Sequence, residues 1–280
     1  MPQNFHLQGH RGARGLFAEN TIDGFLATIA LGVDSLELDV GVTQDGVVVV
    51  NHDFALNPNI ARLPDGRWIA ETDAPPPRVR DLTLAEIRRF DVGRIRPRSG
   101  LSHRHPGQCG ADGVRVPTLA ELVAVTAETG MVLDIELKTD ATRAADTVPP
   151  GEMAALMLAA AAPARGRLVV RSFDWRGLAW MQVHAPDVPL AWLSEGQIEP
   201  THVLAASGGR GVWAPNWSDL SEPAIRNAQA GGMRVIPWTI NVPSDMRRQI
   251  AWGVDGLCTD RPDLARAVMR RCGITPPPGN

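Results

Sequence analysis

The sequence predicts an α/β protein, a (β/α)8 barrel of the TIM type, with a small insertion after a hairpin at the barrel rim. Eight short apolar runs alternate with segments of helical spacing over 280 residues, a length that suits one such barrel. The alternative is a doubly wound open sheet. It is less favoured because the first strand is not followed by the GxGxxG turn typical of that fold.

The first strand is expected at Phe5–Gly9. Asn20 or Thr21 can then cap a helix, because both residue types accept hydrogen bonds from the first helical N–H groups. Gly32 suits the end of this helix, and the second strand follows at Ser35–Val40. The apolar residues of the helix have helical spacing and are Ile22, Phe25, Leu26 and Ile29.

The second half of the chain repeats this alternation. Thr118 and Glu121 form a capping-box pattern for a helix that ends near Gly130. Later strands are expected at 132–137, 168–172, 190–193, 211–214, 234–238 and 256–259. Helices are expected at 152–161 and 175–183, in the remaining gaps, and at 261–271.

One segment departs from the alternation. Val47–Val50 follows the second strand after only a turn at 44–46, which is too short for a parallel crossover and therefore predicts a hairpin. Pairing about this turn sets Asp39 opposite Asn51. It therefore places His52 beside the carboxylates of the second strand.

Residues 54–115 form the other irregular stretch, with three consecutive prolines and one short helical piece at Leu84–Phe90. We expect a single catalytic domain over 1–280, in which 54–115 is an insertion that overhangs the barrel mouth as a lid and has no core of its own. The tail at Pro276–Gly279 is expected to be disordered.

Composition excludes several classes of protein. A net charge of -3 argues against general nucleic-acid or anionic-membrane binding, and no apolar run approaches the roughly 20 residues that span a bilayer. The N-terminus has no signal-peptide pattern, which predicts a cytoplasmic protein, with a previously removed leader left open. Three scattered cysteines predict neither a disulfide framework nor a zinc site.

The candidate metal ligands are three carboxylates at the ends of predicted strands. Residues two apart on a strand share a face, so Glu37 and Asp39 point the same way, as do Glu136 and Lys138. Barrel enzymes place their active sites at this end of the strands. Three converging carboxylates favour one divalent cation, Mg²⁺ or Ca²⁺, since both prefer oxygen ligands. The alternative is a set of ordinary salt bridges.

Two histidines flank these carboxylates. His10 and His52 can act as general acid and base near neutral pH, whereas a rim histidine can also be simply polar. The nearness of His52 to the carboxylates favours His10 as the acid, but the sequence does not decide. Arg11 and Lys138 can bind a phosphate anion, and for both the alternative is a rim salt bridge.

Four further signals are weaker. His103–His105 resembles a metal clip, but its polar surroundings favour a solvated tract. Asp174 and Asp260 each precede a predicted helix, and capping explains them sufficiently. Trp238 ends an apolar strand and can belong to the core or form a wall of the substrate pocket.

Taken together, the motifs of this chain resemble the glycerophosphodiester phosphodiesterase family. The resemblance keeps motif order over nearly the whole chain and is loosest in the insertion. It is carried by residues 9–12, 19–21, 37–40, 45–46, 52–53, 117–119, 136–138, 235–241, 255–256 and 260–262.

This resemblance implies a barrel enzyme of glycerol and lipid metabolism that hydrolyses glycerophosphodiesters to sn-glycerol 3-phosphate and an alcohol. By position it implies His10 and His52 as the acid–base pair, with Arg11 and Lys138 at the phosphate. The implied ligands of the divalent cation are Glu37, Asp39 and Glu136.

Two other functions remain open at this point. A phospholipase D-like lyase would form a cyclic phosphate as its final product. A non-catalytic barrel that binds phosphate esters would need cations but no pair of histidines. The expected partner is a small-molecule glycerophosphodiester, and the oligomeric state, the choice between Mg²⁺ and Ca²⁺ and the alcohol are not predicted.

Overall fold

Eight parallel strands form a nearly closed barrel in the computed structural model, which describes residues 5–72, 74–196 and 198–279. The wall runs in the order β8-β7-β6-β5-β4-β2-β1-β9, and β3 pairs with β2 outside it. The predicted barrel is thereby confirmed. The strands are β1 His6–Gly9, β2 Ser35–Val42, β3 Val48–Val50, β4 Val132–Leu137, β5 Leu168–Ser172, β6 Leu190–Ser194, β7 Val212–Pro215, β8 Arg234–Val235 and β9 Gly256–Thr259.

The last strands close the barrel through individual backbone hydrogen bonds. Asp255 N donates to Val235 O at 2.8 Å, and Cys258 N donates to Pro237 O at 3.0 Å. β8 is shorter than the predicted 234–238 because Pro237 has no N–H to donate. The extended backbone resumes as a single bridge from Trp238 to Asn216.

Helices cover the outside of the barrel. The predicted caps are confirmed, since the Thr21 side chain accepts from Gly24 N and Thr118 forms its capping box with Glu121. The helices are α1 Ile22–Leu31, α2 Leu84–Ile87, α3 Gly100–Arg104, α4 Leu119–Val125, α5 Pro150–Ala160, α6 Trp175–His184, α7 Pro200–Ser207, α8 Glu222–Ala230, α9 Pro243–Trp252 and α10 Pro262–Arg271. None of the helices within the described ranges is long and apolar enough to cross a membrane.

Strand alternation separates an apolar layer from a polar one. Leu38 and Leu137 belong to the hydrophobic core between the barrel and its helices, as their positions predict. Their neighbours Glu37, Asp39 and Glu136 are buried on the other face. The alternation therefore directs these carboxylates into the barrel.

The hairpin is confirmed with the predicted register. Val40 pairs with Val50, and Asn51 N donates to Asp39 O at 3.0 Å. β2 extends beyond the predicted end, to Val42. The return strand therefore delivers His52 to the rim next to the end of β2.

The insertion differs from the prediction because it has a small core of its own. Its apolar residues are spaced irregularly, so neither helix nor strand periodicity reveals them. Ten buried side chains form this cluster, eight from the insertion together with Val49 of the hairpin and Val116 directly after the insertion: Val49, Leu56, Ile60, Ala61, Ile69, Val79, Ile87, Val92, Leu101 and Val116.

The predicted disorder of the C-terminal tail is also wrong. The guanidinium of Arg266 donates to the carbonyl oxygen of Gly32 at 2.7 Å and to that of Pro277. The tail is therefore fixed against the end of α1.

Candidate active site

Three buried carboxylates meet at the C-terminal rim of the barrel. β2 contributes Glu37 and Asp39, and the register of β4 sets Glu136 directly beside Asp39. One oxygen from each side chain lies within 4.8 Å of the others. The predicted convergence is therefore confirmed.

The electrostatics of this cluster are compatible with a bound cation. Burial raises the pKa of Glu37, and the charge of neighbouring Asp39 raises it further. Burial alone would also raise the pKa of Asp39, but the charges of His52, Arg11 and Lys138 hold it below its usual range. Among the described residues Asp39 Oδ1 is buried without a hydrogen-bond donor. An orphaned carboxylate oxygen between two further carboxylates fits a divalent ion that prefers oxygen.

Arg11 and Lys138 bring positive charge to the same place. Arg11 follows β1 with φ 49°, and its backbone N–H donates to Glu37 Oε2 at 2.9 Å. Its Nε lies 3.4 Å from Asp39 Oδ2. Lys138 Nζ donates to Glu136 Oε1 at 2.6 Å. Burial lowers the pKa of Lys138, but the charges of Glu136 and Asp39 outweigh it and raise this pKa above its usual value. Both side chains thus form the rim salt bridges that were the alternative.

His10 is held by Asp260. Its Nδ1 lies 2.5 Å from Asp260 Oδ1, which leaves Nε2 at 3.9 Å from Glu37 Oε2. Asp260 also accepts from Arg14 Nε at 2.9 Å and from Asn241 Nδ2 at 2.8 Å. Burial lowers the pKa of His10 to about 4, although the charge of Asp260 opposes this shift.

His52 has an analogous partner. Its Nδ1 lies 2.6 Å from Asp53 Oδ1, and Asn57 Nδ2 donates to the other oxygen of Asp53 at 2.9 Å. The Asp53 side chain is 41% exposed, whereas that of Asp260 is 1% exposed. Each histidine therefore has an aspartate at Nδ1, and the aspartate beside His10 is far more buried than the aspartate beside His52.

Two neighbouring cavities at the rim share part of their lining. The smaller, of about 230 Å³, is lined by His10, His52, Glu37 and Trp238, among others. The larger, of about 620 Å³, shares Glu136 and Phe173 with it and extends along Phe54 and Trp175.

The profile of the glycerophosphoryl diester phosphodiesterase family matches residues 10–264. The chain belongs to this family. It is accordingly an enzyme, a phosphoric diester hydrolase, and the predicted resemblance is confirmed.

Relatives of this phosphodiesterase match over nearly their full lengths. It is 28% identical to the glycerophosphodiester phosphodiesterase of Caldanaerobacter subterraneus subsp. tengcongensis, over 94% of this chain and 97% of the relative. A solved structure of a putative glycerophosphoryl diester phosphodiesterase from Silicibacter pomeroyi is 35% identical, with a TM-score of 0.91 over 98% of this chain and 96% of that one. A phosphodiesterase from Oleispira antarctica, solved in complex with the product sn-glycerol-3-phosphate, is 20% identical, with a TM-score of 0.75 over 95% of this chain and 97% of that one, and shows the fold alone.

Asp260 corrects the sequence interpretation of this phosphodiesterase. α10 begins at Pro262 with Arg261 in the capping position, and Asp260 is not its cap. It is instead the partner of His10. The barrel topology predicts this contact, because closure of a barrel brings the end of the last strand beside the end of the first. Gly9, next to His10, pairs with Thr259, next to Asp260.

The other weaker signals are resolved individually. Asp174 caps α6 as predicted, since it accepts from Arg176 N at 3.2 Å. Trp238 lines the smaller cavity and contacts Phe173 edge to face at 5.2 Å between ring centroids, so it is a wall of the pocket. The predicted solvated tract is wrong for His105, which is buried. All three cysteines are free.

Proposed function

We propose that this enzyme hydrolyses glycerophosphodiesters to sn-glycerol 3-phosphate and an alcohol, with one divalent cation and a histidine pair. The observation that carries the proposal is the joint placement of two aspartate-backed histidines around three converging carboxylates. Binding alone requires no pair of proton carriers, so this placement favours catalysis. The product bound to the Oleispira antarctica relative is consistent with the proposed reaction.

Glu37, Asp39 and Glu136 would hold the cation. Once bound, Mg²⁺ or Ca²⁺ would neutralise negative charge on the phosphodiester and polarise its phosphorus–oxygen bonds. The residues around it fix the orientation of the ligands: Arg11 N–H holds Glu37, and Lys138 Nζ holds Glu136. The guanidinium of Arg11 and the ammonium of Lys138 then supply donors for the phosphate oxygens.

The two histidines would divide the proton transfers. A displacement at phosphorus requires removal of a proton from the nucleophile and delivery of one to the leaving alkoxide. The structure gives a reason to exchange the roles favoured by the sequence. The buried Asp260 directs the Nδ1 proton of His10, so that a lone pair at Nε2 faces the site, as a base requires. His52, near the mouth, is then placed to deliver a proton to the departing alcohol.

The larger cavity is the proposed site of that alcohol. Its lining includes Lys138 and the aromatic residues Phe54, Phe173 and Trp175. Phe54 is the first residue of the insertion, and the Arg143 guanidinium lies 4.6 Å above its ring. We propose that residues 54–115 act as a lid on a single catalytic domain and that they select the alcohol.

A cytoplasmic location stays a prediction.

A substrate with a good leaving group tests the roles of the histidines. A nitrophenyl glycerophosphodiester needs no proton at its leaving oxygen. Activity of His52→Ala towards it should be restored relative to glycerophosphocholine, whereas activity of His10→Ala should not. Rescue of His10→Ala instead would reverse the roles, and near-wild-type rates of either variant with both substrates would refute the pair. Accumulation of a cyclic phosphate as final product in phosphorus NMR would favour the lyase.

A further inference from the structure

Strands β2 and β4 direct four carboxylates into the barrel, not three. Their register pairs Glu37 with Asp134 and Asp39 with Glu136, so the four form a square of neighbours on one face. All four are buried, Asp134 with only 1% of its surface exposed. Yet only Glu37, Asp39 and Glu136 converge. A further contact must therefore keep the Asp134 side chain apart from the other three carboxylates.

Arg171 on β5 binds this fourth carboxylate. Its Nε donates to Asp134 Oδ1 at 2.8 Å and its Nη2 to Asp134 Oδ2 at 2.7 Å, a two-pronged contact that fixes the plane of the guanidinium. The Gln8 side chain holds both partners in place, because it accepts a hydrogen bond from Arg171 Nη2 at 2.9 Å and donates one to Asp134 Oδ2 at 2.6 Å. The guanidinium is therefore rigid as well as buried.

The remaining nitrogen of Arg171 faces the cation site. Nη1 lies 3.9 Å from Glu37 Oε1, and the residue lines the smaller cavity together with His10 and Glu136. The opposite oxygen of Glu37 accepts from Arg11 N. Glu37 is thus held from two sides, and the fixed positive charge of Arg171 lies beside it.

We propose that Arg171 is a positioning residue of the cation site, which withholds Asp134 from the ligand set and serves as a permanent counter-charge to Glu37. This inference rests on the cation proposed above. In the cation-free enzyme Arg171 offsets part of the negative charge of the cluster. In the loaded enzyme it repels the bound ion and so weakens binding. The pair therefore makes the site stable when empty and its ion exchangeable.

Opposite substitutions in this ion pair should have opposite effects. Arg171→Met removes the counter-charge and releases Asp134, so Mg²⁺ and Ca²⁺ should bind at least about tenfold more tightly. Asp134→Asn keeps the positive charge and removes its partner, so both ions should bind at least about tenfold more weakly. Arg171→Lys retains a positive charge and should return the affinity towards that of the wild type.

Ion affinity is measured by isothermal titration calorimetry, in which each ion is added to chelator-treated, metal-analysed full-length protein. The melting temperature is measured with and without the ion. Arg171→Met should show a larger ion-induced rise in melting temperature than the wild type, and Asp134→Asn a smaller one. The matched control is Arg167→Met. Arg167 lies directly before β5, and its guanidinium donates to Met131 O at 2.8 Å and to Val123 O at 3.1 Å on the outside of the barrel. It should lower the melting temperature without changing ion affinity.

The outcomes separate the two proposals. If the wild type binds the ions but both pair variants keep its affinity, Arg171 and Asp134 form only a structural salt bridge and the inference is wrong. A change in the same direction in both variants would also overturn it. If the wild type binds neither ion, the cation proposal itself fails, together with what rests on it. Should Arg171→Met not fold, Asp134→Asn and Arg171→Lys still give the predicted contrast in affinity.

Discussion

Replacement of Asp260 by asparagine should remove most of the activity while the barrel stays folded. The carboxylate accepts from His10 Nδ1 at 2.5 Å and is 1% exposed, so no water replaces it. An amide at this position can donate its own proton to Nδ1, which moves the imidazole proton to Nε2. The nitrogen that faces Glu37 then has no lone pair with which to accept a proton.

The size of the effect follows from this tautomer exchange. Wrong orientation or protonation of a catalytic histidine costs about 10²–10⁴-fold in kcat, which corresponds to about 3–5 kcal/mol of transition-state free energy. KM should change little, because Asp260 is buried and its contacts are to His10, Arg14 and Asn241. Asp260 also binds Arg14 and Asn241, so the unfolding free energy should fall by about 1–3 kcal/mol.

The assay is steady-state release of sn-glycerol 3-phosphate from glycerophosphocholine, with nitrogen NMR of the His10 ring as an independent readout. The matched control is Asp53→Asn, which alters the more exposed pair of His52 and should lose less, about tenfold, because solvent competes for that nitrogen. A kcat of Asp260→Asn within threefold of the wild type, or an unchanged tautomer of His10, would refute the reasoning.

Three further predictions follow from the site and the fold. Removal of the cation by a chelator should abolish turnover and leave the fold intact, and Glu37→Gln or Asp39→Asn should have the same effect. The activity assay measures turnover and circular dichroism measures the fold. Full turnover of chelated protein would contradict the cation proposal. Phe54→Ala should change the ratio of KM values among choline, ethanolamine and glycerol head groups more than it changes kcat; identical kinetic constants for every head group would remove the evidence for a selective lid. Burial, followed by the charges of Arg234 and Arg171, lowers the pKa of His6 from 6.5 to about 4. Between these pH values the unfolded chain binds a proton at His6 that the folded chain does not bind. The unfolding free energy should therefore fall by up to about 3 kcal/mol as the pH drops through this window. In urea titrations, His6→Gln should lack the part of this fall that comes from His6.

Local patterns were sufficient for the barrel and for half of the site. β4, β5 and β9 have the predicted bounds, because apolar runs between turn residues are read directly from the chain. The hairpin register placed His52 beside β2 by counting alone. Strand alternation placed the three carboxylates on one face, since residues two apart point the same way.

The remaining features depend on contacts between distant segments. The pair of His10 and Asp260 spans 250 residues and exists only when the barrel closes. Arg171 stands in an apolar strand, and its neighbours in sequence do not indicate Asp134 or Gln8 as partners. The core of the insertion combines irregularly spaced residues with Val49 from the hairpin, so no periodic pattern predicts it.

The central claim is that this rim hydrolyses glycerophosphodiesters with the help of a divalent cation. Phosphorus NMR of glycerophosphocholine incubated with metal-analysed, chelator-treated enzyme, before and after addition of Mg²⁺ or Ca²⁺, tests it most directly. We expect no product before addition, sn-glycerol 3-phosphate as the final product after it, and none in His10→Ala under either condition. Turnover in the metal-free sample, or an intact phosphodiester after addition of both ions, would contradict the claim.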